Sequence, residues 1–339
     1  MTLTPAPQID IGSPRRPSVP PGQRARRDSP ASSVRVSPVR TRIALFSMDR
    51  GDYQELIRED CVTTARRHGF SVQVLVADND ADRQVRQITT CLGEPPERRP
   101  TAIIVSPVRE VTLLNTARAA ARLGIGWAML LRWCDYIRDL RMEFPGLPIF
   151  TVMADQHEVG RIQGRQFRAL LPHGGEAVYI RGPLGTSSAS RRFAGAQEVL
   201  KDSAIDLSIL NSDFTFAGGE NAMKEWMRVF PRGAPARLIV GAQNDAMAMG
   251  ARKALEENAR GRSNFSLAKV AFCGCDGSPA YGHRLVVEGK LTSTVVMPPT
   301  GGRAVTEIAS AVQGVRPAEA IIVKPVGFPE PPLLRPLAS

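Results

Sequence analysis

Two apolar segments in the second half of the chain end in polar and acidic residues, and this pattern constrains the fold most. The first, residues 238–242, continues into Asn244 and Asp245, and the second, residues 270–273, continues to Asp276. A short apolar run that leads into polar or glycine-rich residues and then a helical pattern indicates a parallel strand. Ligands of open α/β sheets bind just beyond the carboxyl ends of such strands. The sequence therefore places these three side chains where a small molecule would bind.

Short apolar segments of this kind alternate with helical patterns along the chain from Thr41 onward. The predicted strands lie at residues 43–46, 72–76, 102–105, 127–131, 149–152, 177–180, 207–210, 238–242 and 270–273. Between them, apolar residues recur with the spacing of one helix face, as in Leu56, Ile57 and Cys61. This alternation predicts an α/β fold with doubly wound parallel sheets. A less regular segment at 133–147 is followed by a second cycle of the same kind, so we expect two lobes.

The composition is that of a water-soluble globular chain. Hydrophobic residues make up 43% of the 339 positions and charged residues 23%. No run reaches the ~18 apolar residues that a membrane helix needs. The N-terminal residues are rich in Pro, Ser and Arg and lack the apolar stretch of a secretory signal, and the five cysteines show no repeated spacing. Because such cysteine usage argues against a disulfide framework, we favour a reducing, cytoplasmic location.

The net charge of +11 is concentrated at the N-terminus. Residues 1–42 contain eight arginines against Asp10 and Asp28, and the remaining excess is spread without an evident stripe. A basic, proline-rich arm is able to contact phosphate backbones without sequence preference. The same composition is typical of a solvated disordered tail, and we favour that interpretation for residues 1–41. Nucleic acid is therefore not the favoured partner.

The sequence contains no recognisable set of residues for chemistry. The four histidines lack metal-ligand spacing, and Cys273 and Cys275 have no second pair to complete a zinc site. The stretch 182–186 follows a strand but lacks the lysine of a phosphate-binding loop. No Ser/His/Asp set can be assembled from motif context. We therefore predict no metal, no cofactor and no enzymatic activity.

Five short motifs occur in a characteristic order. They read VGRIQG at 159–164, SASRRFAG at 188–195, QNDAMAMGA at 243–251, GCDG at 274–277 and EGKLTSTVV at 288–296. In this order they resemble the type I periplasmic sugar-binding proteins, the ribose-binding group and its relatives. These proteins share their fold with the ligand domains of LacI-type repressors. The resemblance covers about residues 42 to 328.

The resemblance implies two lobes joined by a three-strand hinge, with a sugar enclosed between them when the hinge closes. After the tail at 1–41, it implies an N-terminal lobe of residues 42–152 plus about 298–320. The C-terminal lobe would contain residues 153–297 plus about 321–330.

Carried over motif by motif, the resemblance also implies the residues of the ligand site, which are Tyr53, Arg132, Arg192, Phe214, Asn244 and Asp276. Arg192 takes the place of an arginine that donates to sugar oxygens, and the spacing Arg-x-x-Gly favours it over Arg191. Asn244 matches the asparagine of an Asn-Asp pair, and Asp276 matches an aspartate that accepts from hydroxyls. Phe214 matches a stacking aromatic, although it also fits the core, and Tyr53 lies near the aromatic residues of the first loop.

The acidic residues have alternative structural interpretations. Asp245 stands at the start of a predicted helix, so we expect it to cap that helix while Asn244 points into the cleft. Asp276 precedes Gly277 and could close a turn or cap a helix, but we favour ligand contact. An arginine and a carboxylate together supply donors and acceptors for neighbouring hydroxyls.

Two departures from the family pattern bear on the ligand. The family often has Asp-Arg after the fourth strand, where this chain has Leu131 and Arg132. A glutamine that is common in the family after the Thr-Val strand is replaced here by Met297. The resemblance therefore implies a ligand that is less hydroxylated at one end, or rotated. Neither an export signal nor a DNA-binding helix-turn-helix is recognised in the sequence.

The sequence thus predicts non-catalytic binding of a small polar ligand, a sugar or polyol, by hinge closure. The protein would serve as an ABC-transporter-type solute-binding protein with a permease as partner, or as a cytoplasmic sensor read by a regulatory protein. A periplasmic location follows if the family role holds. The alternative is a transcription-linked regulator whose Arg-rich tail, or whose partner, contacts DNA.

Overall fold

The computed structural model describes residues 41–229, 237–259 and 267–337. Apart from Thr41, the predicted basic tail at 1–41 lies outside the described residues. The strands, in chain order, are β1 (Arg42–Ser47), β2 (Ser71–Val76), β3 (Ala102–Val105), β4 (Gly126–Leu130), β5 (Ile149–Ala154), β6 (Gly175–Arg181), β7 (Ile205–Asn211), β8 (Leu238–Ala242), β9 (Val270–Cys273), β10 (Thr294–Val296), β11 (Ala320–Val323) and β12 (Val326–Phe328).

Helices separate most of these strands. They are α1 (Asp52–Arg67), α2 (Ala81–Gly93), α3 (Leu114–Arg122), α4 (Tyr136–Glu143), α5 (Gln156–Leu170), α6 (Ser187–Leu200), α7 (Phe216–Val229), α8 (Asp245–Ala259), α9 (Arg284–Val287) and α10 (Gly301–Val312). Within residues 41–229, 237–259 and 267–337, every helix is too short or too polar to span a bilayer. The segment that looked irregular in the sequence contains α4, whose buried Tyr136, Ile137 and Leu140 share one face.

Two parallel sheets form the two lobes. The first has the strand order β11-β5-β4-β3-β1-β2 and the second the order β7-β6-β8-β9, and within each sheet every pairing is parallel. Each sheet has an apolar cluster on both of its faces. Central strands such as β3 and β4 are therefore buried along their whole length, which explains their uninterrupted apolar sequences. The prediction of two doubly wound lobes is confirmed.

The chain crosses between the lobes three times, as the hinge prediction requires. The crossings lie between β5 and α5, between β10 and α10, and between β11 and β12. Helix α10 returns to the first lobe, where it packs against α1, while α5 packs against α6 in the second lobe. Strands β10 and β12 form a small antiparallel sheet beside these crossings.

One strand pairing differs from the expected division of the chain. The resemblance assigns about residues 321–330 to the second lobe, but Ile321 to Val323 belong to β11, which pairs with β5 at the edge of the first sheet. Only the following strand, β12, leaves that sheet. Local sequence patterns do not reveal this pairing, because the apolar run of β11 fits either sheet and its partner β5 lies far away in the chain.

Candidate ligand-binding site

One cavity of about 180 Å³ lies where the carboxyl ends of strands from both sheets face each other. All six residues predicted for the ligand site line this cavity, namely Tyr53, Arg132, Arg192, Phe214, Asn244 and Asp276. They come from loops or helix starts that follow six different strands, so only the tertiary fold brings them together. Their contact with a ligand stays a prediction.

Arg192 is the buried cation of the cavity, with a side chain that is only 5% exposed. Its Nε donates to Gln156 Oε1 at 2.7 Å, one terminal nitrogen donates to the Gln243 carbonyl, and the other donates to the Met297 sulfur at 3.2 Å. Neighbouring Arg191 is exposed. These contacts hold the guanidinium plane in place, since Arg offers its donors in a rigid fork.

Close packing of α5 against α6 determines where Arg192 lies. A Cβ atom on Gly160 would collide with the backbone of Arg192, and one on Gly195 would collide with the His157 carbonyl. Both glycines belong to the motifs that carried the family resemblance. Their role is therefore to let two helix backbones approach closely, because a larger side chain at either position would push the arginine away from the cavity.

Asp276 presents a half-buried carboxylate to the cavity. Its backbone is tied to the crossover strand, because its N–H donates to the Val295 carbonyl at 3.0 Å and its carbonyl accepts from the Met297 N–H at 3.1 Å. Among the described residues, no hydrogen bond to the carboxylate itself is found. Burial raises the pKa of Asp276 well above its usual value; Arg192 lowers that pKa, and Asp245 raises it.

Asn244, and not Asp245 as we expected, caps α8. The Asn244 side-chain oxygen accepts from the Met247 N–H at 2.9 Å, so Asn244 caps α8, and its amide donates to the Phe214 carbonyl at 2.8 Å. Asp245 is not the cap. Its carboxylate, 2% exposed, accepts from the Gly277 N–H at 2.8 Å and from the Thr294 hydroxyl at 2.6 Å. A capping rule considers only neighbouring residues, so it could not predict the contact of Asp245 with Thr294, which is 49 residues away in the chain.

The two nominated aromatic residues also make structural contacts. Phe214 lies across Gly182, where a Cβ atom would meet its ring, and it packs against the core of the second lobe while lining the cavity. Phe214 therefore packs against the core and lines the cavity at the same time. The hydroxyl of Tyr53 donates to the Pro298 carbonyl at 3.0 Å, which ties the start of α1 to the crossing before α10.

Arg132 is held by its own lobe. Its guanidinium pairs with Glu110 at 2.8 Å and donates to the Val108 carbonyl at 3.0 Å, and both partners of the ion pair are nearly buried. The side chain still lines the cavity, but its charge is already compensated. Beside it, Leu131 occupies the position where the family often has an aspartate, and it contributes an apolar surface.

Three non-glycine residues of the cavity wall have left-handed backbone conformations. The φ angles are +69° at Leu131, +68° at Phe214 and +101° at Asp276. Such conformations are uncommon outside glycine and cost about 1–3 kcal/mol each. Backbone strain of this kind clusters at ligand sites, and three of the five such non-glycine residues in the described chain border this cavity, the other two being Asp78 and Asn79.

Sequence reasoning missed several residues of the wall. They are Met48, Asp49, Asp52, Gln156, Ser188, Ser278 and Tyr281, together with Asp245 in its new role. The rule that pointed to Asp276 could have found Asp49 and Gln156 as well, because both follow strands of the first sheet. Tyr281 and Ser278 follow a glycine-rich turn and carried no comparable signal.

The thiols and acids do not form a metal site within the described residues, where no three His, Cys, Asp or Glu side chains come together for that purpose. Cys273 and Cys275 are both fully buried, and burial raises the pKa of each to about 12. They therefore remain protonated thiols at neutral pH, since only the thiolate is reactive.

Comparisons with known proteins agree with this architecture. The family description "periplasmic binding protein domain" matches residues 43–314. The ribose import binding protein of Salmonella typhimurium is 31% identical over 260 residues, which cover 76% of this chain and 79% of that protein. The xylitol-binding protein of Mycolicibacterium smegmatis is 27% identical over 222 residues, which cover 65% and 59%.

Solved structures show the same fold. A galactofuranose-binding protein superposes with a TM-score of 0.73 at 18% identity, covering 85% of this chain and 94% of the other. The myo-inositol-binding protein of Caulobacter superposes with a TM-score of 0.71 at 19% identity, covering 86% and 93%. The chain belongs to the periplasmic binding protein domain family, and the resemblance seen in the sequence is confirmed.

Proposed function

We propose that this protein binds a sugar or polyol in the cavity between its lobes, without chemical transformation of the ligand. The observation that carries the proposal is the pairing of a fixed donor with a free acceptor across one cavity. Arg192 is held in a single orientation by Gln156 and Gln243, and the Asp276 carboxylate has no hydrogen bond from the described residues. Adjacent hydroxyls of a polyol both donate and accept, so they match this pair.

The other wall residues have complementary roles in this proposal. Phe214 and Tyr53 cover apolar C–H surface of the ligand. Asn244 keeps one amide hydrogen free for a ligand oxygen after it has capped α8 and bonded to Phe214. Leu131 and Met297 form an apolar part of the wall, which favours a ligand with fewer hydroxyls at that end.

Hinge motion would couple ligand binding to closure. The three crossings between the lobes are short, and Tyr53 bonds directly to one of them through Pro298. A ligand held by Asp49 and Arg132 from one lobe and by Arg192 and Asp276 from the other would stabilise the closed form, because it contacts both lobes only there.

We further propose that the protein delivers its ligand to a membrane permease of the ABC type. The support is the family membership and the import role printed in the name of the ribose relative. Such a role would place the protein outside the cytoplasmic membrane. The composition instead favours the cytoplasm, where the protein would act as a sensor that a partner protein reads. Cellular fractionation of the full chain distinguishes the two locations directly.

Titration calorimetry against a panel of pentoses, hexoses, inositols and linear polyols tests ligand binding. We expect one saturable ligand, recovered unchanged, and at least about tenfold weaker binding by Asp276→Asn, because a hydrogen bond to a charged acceptor is lost. Asp206→Asn, an exposed substitution on β7, serves as the matched control. Absence of any ligand from the panel, or full affinity in Asp276→Asn, would overturn the proposal.

A further inference from the structure

The charges that line the cavity do not cancel. Four aspartates contribute to the wall, Asp49, Asp52, Asp245 and Asp276, against two arginines, Arg132 and Arg192. A neutral polyol requires donors and acceptors in balance, but it does not require an excess of negative charge.

Pairing removes most of the positive charge near the cavity. Arg132 forms its buried ion pair with Glu110 at 2.8 Å. Arg58, whose guanidinium also donates to the Asp49 carbonyl at 2.6 Å, pairs with Glu55. Asp245 is already bonded to Gly277 and Thr294 inside the lobe. Within the described part of the chain, Arg192 has no carboxylate within ion-pair distance, so it is the one wall cation left to balance Asp49, Asp52 and Asp276.

The pKa values of two of these aspartates are raised. Burial raises the pKa of Asp276 well above its usual value, Arg192 lowers it, and three neighbouring aspartates raise it further. Burial likewise raises the pKa of Asp49, against the lowering effects of the Gly51 N–H and of nearby arginines. Carboxylates that resist ionisation next to one another are stabilised when a cation enters between them.

A second, independent observation points to a ligand at this wall. Ser188 and Ser278 are 7% and 4% exposed and both line the cavity. Among the described residues, no hydrogen-bond partner is found for either hydroxyl. The hydroxyls of side chains this buried are normally paired, so both are available to a ligand in the cavity that carries several polar groups.

We propose that the ligand is a sugar or polyol that carries a primary amine, such as an amino sugar or an aminocyclitol, with its ammonium group against Asp49, Asp52 and Asp276. This inference rests on the proposed function and narrows it. An ammonium group supplies three donors and one positive charge, so it satisfies carboxylates and serine oxygens at once. The hydroxyls of the ligand would still contact Arg192 and Asn244.

Matched pairs of ligands test the inference by calorimetry at pH 7 on the full chain. The pairs are D-glucosamine with D-glucose, D-galactosamine with D-galactose, an aminodeoxyinositol with myo-inositol, and 2-amino-1,3-propanediol with glycerol. In at least one pair, the amine should bind at least about tenfold more tightly than the alcohol, because it forms charge-assisted hydrogen bonds. The N-acetylated amine, which is neutral, should lose that advantage.

Asp49→Asn tests where the ammonium group binds. The Asp49 Oδ1 accepts from the Gly51 N–H at 2.7 Å, and asparagine retains that oxygen, so the loop should keep its conformation. The ratio of amine to alcohol affinity should fall about tenfold in Asp49→Asn and stay unchanged in Asp82→Asn, an exposed aspartate in the first turn of α2.

The outcomes separate this inference from the proposed function. If alcohols bind as tightly as their amines, or if Asp49→Asn leaves the ratio unchanged, the inference is overturned and the proposed function stands. If no member of any pair and no compound of the wider panel binds, both are overturned.

Discussion

The Asp245 carboxylate accepts a 2.6 Å hydrogen bond from the Thr294 hydroxyl, and this contact joins the start of α8 to the crossover strand β10. The same carboxylate holds the Gly277 N–H at 2.8 Å. The Asp245 N–H also donates to the Cys275 carbonyl at 2.7 Å, so both chain neighbours of Asp276 are bonded to Asp245, and Asp276 is thereby positioned at the cavity. A residue without a predicted ligand role therefore supports the residue that we expect to bind the ligand.

Removing this support should destabilise the second lobe. Asp245→Ala leaves the buried Gly277 N–H and Thr294 hydroxyl without partners, at about 1–3 kcal/mol for each group. Urea denaturation should show a lower free energy of unfolding for Asp245→Ala and a smaller loss for Asp245→Asn, which retains one acceptor. Equal stability of Asp245→Ala and the unmodified protein would contradict this reading.

The stability of the protein should depend on pH through Asp245. Burial raises the pKa of this carboxyl to about 7 in the folded protein, whereas hydrogen bonds from Thr294 and Gly277 lower it; its ordinary value is 3.8. Between these values only the folded state holds the proton, so the contribution to stability is fully present below about pH 4 and is lost as the pH rises through 7.

The comparison with Asp245→Asn isolates this effect, because asparagine does not titrate. The free energy of unfolding of both proteins is measured by denaturation at pH 5 and pH 8. Relative to Asp245→Asn, the unmodified protein should be less stable at pH 8 than at pH 5. A difference that is independent of pH would show that Asp245 does not titrate in this range.

Enlarging the glycine at the contact between α5 and α6 should reduce both stability and ligand affinity. In Gly160→Ala the added methyl group meets the backbone of Arg192, so the helices must separate, at about 1–3 kcal/mol. Gly93→Ala, at the end of α2, has open space around its new methyl group and is the matched control. Thermal unfolding of the two variants should differ clearly, with Gly93→Ala at or above the unmodified protein.

Replacing Arg192 by lysine should weaken ligand binding while the fold persists. Lysine keeps the charge but cannot reach Gln156, the Gln243 carbonyl and the ligand with one ammonium group, so we expect an affinity loss of about tenfold or more. Arg191→Lys is the control, because the neighbouring Arg191 is exposed and does not line the cavity. Equal affinities of the two variants in calorimetry would exclude Arg192 from the site.

Ligand binding should release protons in the pH range over which Asp276 titrates. The pKa of Asp276 lies well above its usual value because the carboxyl is buried, and a ligand that donates hydrogen bonds to it favours the ionised form. Affinity should therefore rise with pH up to the point where the unliganded carboxyl is already ionised. Calorimetry in buffers with different ionisation enthalpies measures the released protons, and Asp276→Asn should abolish the release.

Local sequence patterns were sufficient to predict strands β1 to β9, the two lobes and the edge of the sheets at which the cavity lies. Each strand is a short apolar run that must be buried on both faces, and the residues after parallel strands meet at one edge of the sheet. This rule needs no knowledge of strand order, so it brought Asn244 and Asp276 to the right edge. The family resemblance added Arg192 and Phe214 to the same wall.

Only the tertiary structure determines which hydrogen-bond and ion-pair partners the side chains near the cavity have. Asp245 does not cap α8, because its carboxylate accepts hydrogen bonds inside the lobe from Thr294, 49 residues away, and from the Gly277 N–H, 32 residues away. The charge of Arg132 is compensated by Glu110 from another loop. Strand β11 joined the first sheet because β5 offered an open edge. Such partners are set by packing between elements that are distant in the chain, and hydrogen bonds and ion pairs form wherever folding brings a donor to a buried acceptor.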